Sequence, residues 1–314
     1  MAEKEDLEAK RKLQHTANMA SILAAMDSPP PPVESFTGMI YGPSGSGKSV
    51  TAAFLGKALN GPDEKTLFID TSRGYVSFGN HPKLDGTFTP IAYQGLEHLE
   101  TLAIMLERSH PGVKQYRTVV FDEISKMVRT DTNIAVADSG RDIPEWPDYN
   151  KSLSRLRKVI YRLLKRPDLN LVMLAHERDK KNKSGDVVLT FPDFIPSVVK
   201  ELKEDIHVVA RQTAAAIANP GGSPSYRRII QCLPTASIDA KCRMTPPDLQ
   251  ISPEAFIMHV KAWLDAGGKV EDTPAPKEDV DLAKLEIPQG LQANLDDESI
   301  VELDDTAPAW VASS

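Results

Sequence analysis

The feature that most constrains this chain is a glycine-rich run, GPSGSGKS, that directly follows an apolar segment. The run occupies 42–49; the preceding FTGMIY has the composition of a buried strand, and the residues from Lys48 onward have that of a helix. Its spacing fits GxxxxGK[ST], in which glycines let backbone N–H groups point inward around an anion and the following helix adds the positive end of its dipole. The sequence therefore predicts a phosphate-binding loop.

Two side chains of this loop have separate tasks in phosphate chemistry. Lys48 can reach the β- and γ-phosphates of a nucleotide, and the Ser49 hydroxyl can hold Mg²⁺, so we expect ATP and Mg²⁺ as cofactors. The alternative is a Gly/Ser-rich loop before an ordinary helix N-cap; it is less favoured because strand, loop and helix all agree. The residues expected to contact the nucleotide are Gly42, Pro43, Ser44, Gly45, Ser46, Gly47, Lys48, Ser49 and Val50.

A second apolar segment, TVVF at 118–121, ends in two carboxylates, Asp122 and Glu123. Ligands of parallel sheets bind beyond the carboxyl ends of the strands, so Asp122 is expected to hold Mg²⁺ through water. Glu123 is expected to orient or deprotonate an attacking water. The alternative for Asp122 is capping of a helix that begins near Ile124.

A third apolar segment, 169–175, delivers His176 to the same sheet edge. A polar side chain there can contact the γ-phosphate and report its loss to the segment that follows, so His176 is a candidate sensor. The alternative is a histidine that merely caps a strand.

Apolar runs alternate with helical stretches up to Ala175, which predicts an α/β fold with a mostly parallel sheet and helices on both faces. Beyond it, 205–213 and 226–233 have the composition of strands joined by a turn-rich link. We expect them to form an antiparallel C-terminal extension of the sheet.

The chain is expected to have four parts: a helical arm at 1–28, a proline-rich linker at 29–35, an ATPase domain at 36–268 and an acidic, disordered tail at 269–314. Net charge supports the last boundary. Residues 271–314 carry a net charge of −10, whereas the whole chain carries −7, so the remaining residues carry +3.

The sequence also excludes several classes of protein. Two cysteines, Cys232 and Cys242, are too few for a disulfide framework and lack zinc-site spacing. No apolar run is long enough to span a membrane, and the N-terminus lacks a signal-peptide core. We therefore expect a cytoplasmic protein without membrane partners.

The ordered motifs IYGPSGSGKS, LFIDTSRG, RTVVFDEISKM, WPDYNK, NLVMLAHERD and ASIDAKCRMTPPDL resemble the RecA-like branch of P-loop ATPases. More narrowly, they resemble phage-encoded AAA-domain nucleotide-binding proteins that include shortened RecA-like single-strand annealing proteins. The resemblance covers about 36–265. It implies a RecA-like P-loop NTPase core, loops facing single-stranded DNA, and a homo-oligomeric ring or filament with ATP between neighbours.

The chain departs from that pattern at the second strand. RecA-like proteins usually carry a catalytic Glu shortly after it, whereas Asp70-Thr71 is followed here by Ser72. Glu123 instead follows the magnesium-binding Asp, as in AAA+ proteins. Either catalysis has moved to Glu123 or hydrolysis is weak.

Lys241 and Arg243 flank Cys242 in a pattern similar to the Lys-x-Arg pair that RecA-like recombinases insert into the neighbouring subunit's ATP site. Side chains two apart in a strand point the same way, so both cations can address one phosphate chain. The alternative is a solvated basic strand edge.

The predicted function is binding and hydrolysis of ATP by a RecA-like protein that acts on single-stranded DNA in phage recombination or replication. The acidic tail is a candidate contact for another replication or recombination protein. The alternatives are an AAA+-like motor or remodeller acting on protein or packaged DNA, and a nucleotide-gated assembly protein with little turnover. The candidate DNA contacts are Lys180, Lys181 and Lys183, with Phe191, Phe194 or Trp146 stacking on bases.

Overall fold

The computed structural model describes residues 2–26, 32–194, 196–217, 225–244 and 248–269. The chain divides into two units, Met1–Val33 and Glu34–Ser314. The first contains helix α1 (Ala2–Met26), on which Leu13, Met19 and Leu23 are exposed. Apart from Lys269, the predicted tail lies outside the described residues, as does the linker up to residue 31.

The second unit is built on a sheet, and its strands follow the apolar runs of the sequence. They are β1 (Thr37–Tyr41), β2 (Lys65–Asp70), β3 (Phe88–Ala92), β4 (Tyr116–Asp122), β5 (Asn170–Ala175), β8 (Val208–Ile217), β9 (Ser225–Gln231), β10 (Lys241–Cys242) and β11 (Gln250–Ile251). Parallel strands run in the order β3-β2-β4-β5-β1-β8. Antiparallel pairing adds β9 and β10 to β8, and β11 to β9. The predicted mostly parallel sheet with an antiparallel extension is confirmed. The first of the two strands expected in the extension, β8, nevertheless pairs parallel with β1 and is antiparallel only to β9 and β10.

Helices cover both faces of this sheet. They are α2 (Lys48–Leu59), α3 (Leu96–Glu107), α4 (Ile124–Asp138), α5 (Trp146–Leu164), α6 (Pro196–Asp205) and α7 (Pro253–Asp265). Met39, Phe121 and Met173 pack into one buried cluster with α3 to α6, while α2 and α7 contact each other and the strands. Since alternate strand residues point to opposite faces, the nearly continuous apolar strands supply both layers. No described helix is long and apolar enough to cross a bilayer.

The register aligns the carboxyl ends of four strands. Tyr41 of β1 pairs with Ala175 of β5, and Asp122 of β4 pairs with Asp70 of β2. β5 lies between β1 and β4. The segments that follow these strands therefore emerge at one edge of the sheet, where a ligand can be held between them.

The segment after His176 differs from the expected loop. It forms an antiparallel hairpin of β6 (Glu177–Lys181) and β7 (Val187–Pro192). The sequence ERDKK has no apolar alternation, so the strand was missed; the backbone hydrogen bonds of its pairing do not depend on side-chain type. Phe191 and Phe194 are buried, so they are not placed to stack on bases, whereas Trp146 is 41% exposed.

Candidate nucleotide-binding site

The loop between β1 and α2 requires glycine at both ends. Gly42 and Gly47 have φ angles of 153° and 94°, which side-chain-bearing residues rarely adopt. A Cβ atom at Gly42 would lie 2.0 Å from the backbone oxygen of Gln212, and one at Gly47 would lie 2.6 Å from Arg228 Nε. Strand β8 and the side chain of Arg228 on β9 thus pack directly on the loop.

The Lys48 ammonium group is hydrogen-bonded to the backbone of this loop. Its Nζ donates hydrogen bonds to the carbonyl oxygens of Gly42 (2.8 Å) and Pro43 (2.9 Å). Burial lowers the pKa of Lys48, opposed by the negative charges of Glu123, Asp122 and Glu177. The ammonium group therefore already lies beside the loop backbone. A bound anion can replace the two carbonyl oxygens as its hydrogen-bond acceptor.

Ser49 and Asp122 form the pair that fits a magnesium ion. Ser49 Oγ donates to Asp122 Oδ2 across 2.6 Å. Burial raises the pKa of Asp122 to about 6, with further increases from Asp70 and Glu123 and decreases from the Ser49 hydrogen bond and Lys48. A hydroxyl and a carboxylate are hard oxygen ligands of the kind Mg²⁺ takes in nucleotide sites. The helix-cap alternative loses its basis, because the N-cap of α4 is Glu123 rather than Asp122.

Glu123 is held by donors on both of its carboxylate oxygens. Ser125 Oγ donates to Oε1 across 2.8 Å, and His176 Nε2 contacts Oε2. Burial alone would raise the pKa of Glu123, but the bonds from His176 and Ser125 and the charge of Lys48 outweigh it and lower the pKa. The carboxylate is consequently ionised at neutral pH, as a water-orienting group requires.

Two further residues were missed by the motif reasoning. The Asp70 carboxylate accepts hydrogen bonds from the backbone N–H groups of Ser72 (2.6 Å) and Tyr75 (3.0 Å). This turn brings Gly74 so close that an added Cβ would lie 2.8 Å from Asp122 Oδ2 and 3.3 Å from Ser49 Oγ. The position of Asp70 at the end of β2 could have indicated a role; Gly74 carries no such signal.

The remaining candidates lie apart from this constellation. Arg243 N donates to His207 O at the amino end of β8, and its guanidinium donates to Glu204 O at the end of α6. Lys241 pairs with Val209 in the same region. The phosphate-binding loop follows the carboxyl end of β1, which is parallel to β8, so the structure does not bring Lys241 and Arg243 to it. Lys180, Lys181 and Lys183 lie on the β6–β7 hairpin or in its turn.

The match of the sequence to a known protein family agrees with this geometry. A family model described as an AAA domain matches residues 34–244. The chain belongs to this AAA domain family. The match includes the glycine-rich loop, Asp122, Glu123 and His176, and it supports a P-loop NTPase domain that binds nucleotide. No curated protein matches the sequence.

Proposed function

We propose that this AAA-domain protein is a Mg²⁺-dependent ATPase that acts on single-stranded DNA in phage recombination or replication. The observation that carries the proposal is a chain of contacts from the loop to the hairpin: Ser49 to Asp122, and Glu123 to His176. Family membership supports the nucleotide chemistry. The DNA step draws its support from the hairpin and from the family resemblance.

The residues of the site divide the chemistry among them. Lys48 neutralises phosphate charge, and Ser49 and Asp122 would hold Mg²⁺ from the loop and from β4, Asp122 through water. Magnesium, when bound, withdraws charge from the phosphate oxygens. Glu123 accepts a hydrogen bond from the attacking water and orients it towards the γ-phosphate.

His176 connects this chemistry to the hairpin. Its side chain contacts Glu123, and its backbone oxygen accepts a hydrogen bond from Asp193 N across 2.7 Å. His176 immediately precedes β6 and Asp193 immediately follows β7, so both ends of the hairpin meet beside Glu123. A movement of Glu123 on phosphate release would therefore be transmitted to the hairpin as a whole.

The hairpin is the proposed DNA contact. Lys181 and Lys183 are exposed and Lys180 is half-buried. Charge reversal at all three should weaken single-strand binding and reduce its logarithmic salt slope by up to about 0.7 for each DNA phosphate that the variant no longer neutralises. Charge reversal at Lys114 and Lys165, which lie outside the hairpin, provides the control. An unaltered salt slope in the hairpin variant would remove the hairpin from the DNA site.

Lys241 and Arg243 are proposed to serve a neighbouring subunit. They lie away from the loop of their own subunit, and burial together with the charge of Arg243 lowers the pKa of Lys241. A cation supplied across a subunit boundary stabilises the transferring phosphoryl group. The acidic segment 271–314 is proposed to bind another protein of the same process.

One experiment separates this function from its alternatives: ATP hydrolysis with and without single-stranded DNA, measured together with solution mass. We expect DNA-stimulated turnover by an oligomer, and none by Lys48→Ala. Turnover indifferent to DNA would favour a remodeller of protein or packaged DNA. Tight ATP binding without turnover would favour a nucleotide-gated assembly protein.

A further inference from the structure

Arg228, on strand β9, lies against the phosphate-binding loop. β9 pairs antiparallel with β8, and Arg228 lies opposite Ala214. A Cβ atom added to Gly47 would lie 2.6 Å from Arg228 Nε and 2.8 Å from its Cδ, so the arginine packs on the loop backbone. Gly47 immediately precedes Lys48 and is the N-cap of α2. A second cation is therefore adjacent to backbone N–H groups suited to phosphate.

The β8 strand fixes the loop relative to Arg228. The fully buried Gln212 donates from Nε2 to the carbonyl oxygen of Ser46 across 2.9 Å. Its backbone oxygen leaves no room for a side chain at Gly42. Beside this contact, Ser46 Oγ is buried and has no hydrogen-bond partner among the described residues. The loop thus contains a buried hydroxyl without a partner, and it is hydrogen-bonded to β8, the strand that pairs with the one carrying Arg228.

The surrounding charges distinguish Arg228 from the other nearby cations. Lys48 is attracted by three carboxylates, those of Glu123, Asp122 and Glu177. Arg211 is paired with Glu177, with 2.9 Å between Nε and Oε2. Within the described ranges, by contrast, no acidic side chain forms an ion pair with Arg228. An uncompensated guanidinium beside an anion-binding loop is available to a phosphate, with which it can form two parallel hydrogen bonds.

We propose that Arg228 binds the polyphosphate chain of the nucleotide held by the loop of its own subunit. This inference rests on the proposed nucleotide site and adds a second cation to Lys48. It differs from the role proposed for Lys241 and Arg243, because a contact within one subunit acts on ground-state binding and does not require a neighbour.

The test is equilibrium binding of a fluorescent ATP analogue, N-methylanthraniloyl-ATP with Mg²⁺, to dilute protein. Arg228→Ala should raise Kd about tenfold or more, the scale of a hydrogen bond to a charged group. Arg228→Lys should retain part of the affinity, since it keeps the charge and loses the planar fork. Arg227→Ala is the matched control, because the neighbouring arginine is also exposed but points to the other side of the strand.

The outcomes separate this inference from the function on which it rests. Wild-type affinity in Arg228→Ala, or an equal loss in Arg227→Ala, would overturn the role of Arg228. If Lys48→Ala loses binding while Arg228→Ala keeps it, only the present inference fails. If Lys48→Ala also binds normally, the nucleotide site itself is wrong. Circular dichroism of each variant verifies folding, and Arg228→Gln supplies a second uncharged variant.

Discussion

Replacing Asp122 by Asn should make the nucleotide-free protein more stable while it removes magnesium-dependent turnover. Burial raises the pKa of this carboxyl from 3.8 to about 6, so ionising it at neutral pH costs more free energy in the folded protein than in the unfolded chain. Asn has nearly the same volume, can still accept the hydrogen bond from Ser49 and carries no charge. The substitution therefore removes an electrostatic cost of folding together with the carboxylate proposed to hold Mg²⁺.

The pKa gives the size and sign of the effect. The rise from 3.8 to about 6 corresponds to about 3 kcal/mol at pH values above both. Between these values the folded state binds more protons than the unfolded state, so wild-type stability decreases as pH rises. Asp122→Asn should therefore gain about 3 kcal/mol at pH 7.5 and about half of that at pH 5.

Urea unfolding followed by circular dichroism, at both pH values and with EDTA present, measures this gain. In thermal unfolding, the melting temperature of the variant should exceed that of the wild type by about 2–4 °C for each kcal/mol gained, as for a domain of this size. Glu123→Gln is a control of opposite sign: the pKa of Glu123 is lowered, so its removal should reduce stability at neutral pH. A variant Asp122→Asn that is no more stable than the wild type at pH 7.5 would refute the electrostatic account.

Three further substitutions test the chemistry of the site. Glu123→Gln should retain ATP binding while turnover falls by roughly 10²-fold, the scale of general-base losses; unchanged turnover would leave Glu123 a structural role. Gly74→Ala should weaken Mg²⁺ binding, so that half-maximal turnover needs more Mg²⁺, because its methyl group would lie 2.8 Å from Asp122 Oδ2. An unshifted magnesium titration would contradict this. Gly61→Ala, whose added Cβ would meet its nearest neighbour at 3.4 Å, controls for backbone effects. Arg243→Ala should bind ATP but lose turnover, and mixing it with Lys48→Ala should restore some activity; no recovery in mixtures that co-assemble would refute action between subunits.

The helical and strand segments could be predicted because burial leaves its pattern in the sequence. β1, β4 and β5 are apolar on both faces, so they were recognised as strands of a covered parallel sheet. The β6–β7 hairpin has no such pattern in its first strand, and β11 has only two residues. Segments this short depend on their partners for their conformation, so single-sequence reasoning did not find them.

The sequence by itself determined the phosphate-binding loop, Lys48, and the strand-end positions of Asp122 and His176, because each requires a particular residue type at a fixed place along the chain. Only the tertiary structure placed Gly74 and Arg228 at the site. Gly74 is brought there by the hydrogen bonds that Ser72 N and Tyr75 N donate to Asp70, and Arg228 by the pairing of β9 with β8. Contacts between residues distant in sequence depend on strand order and register, which local composition does not encode.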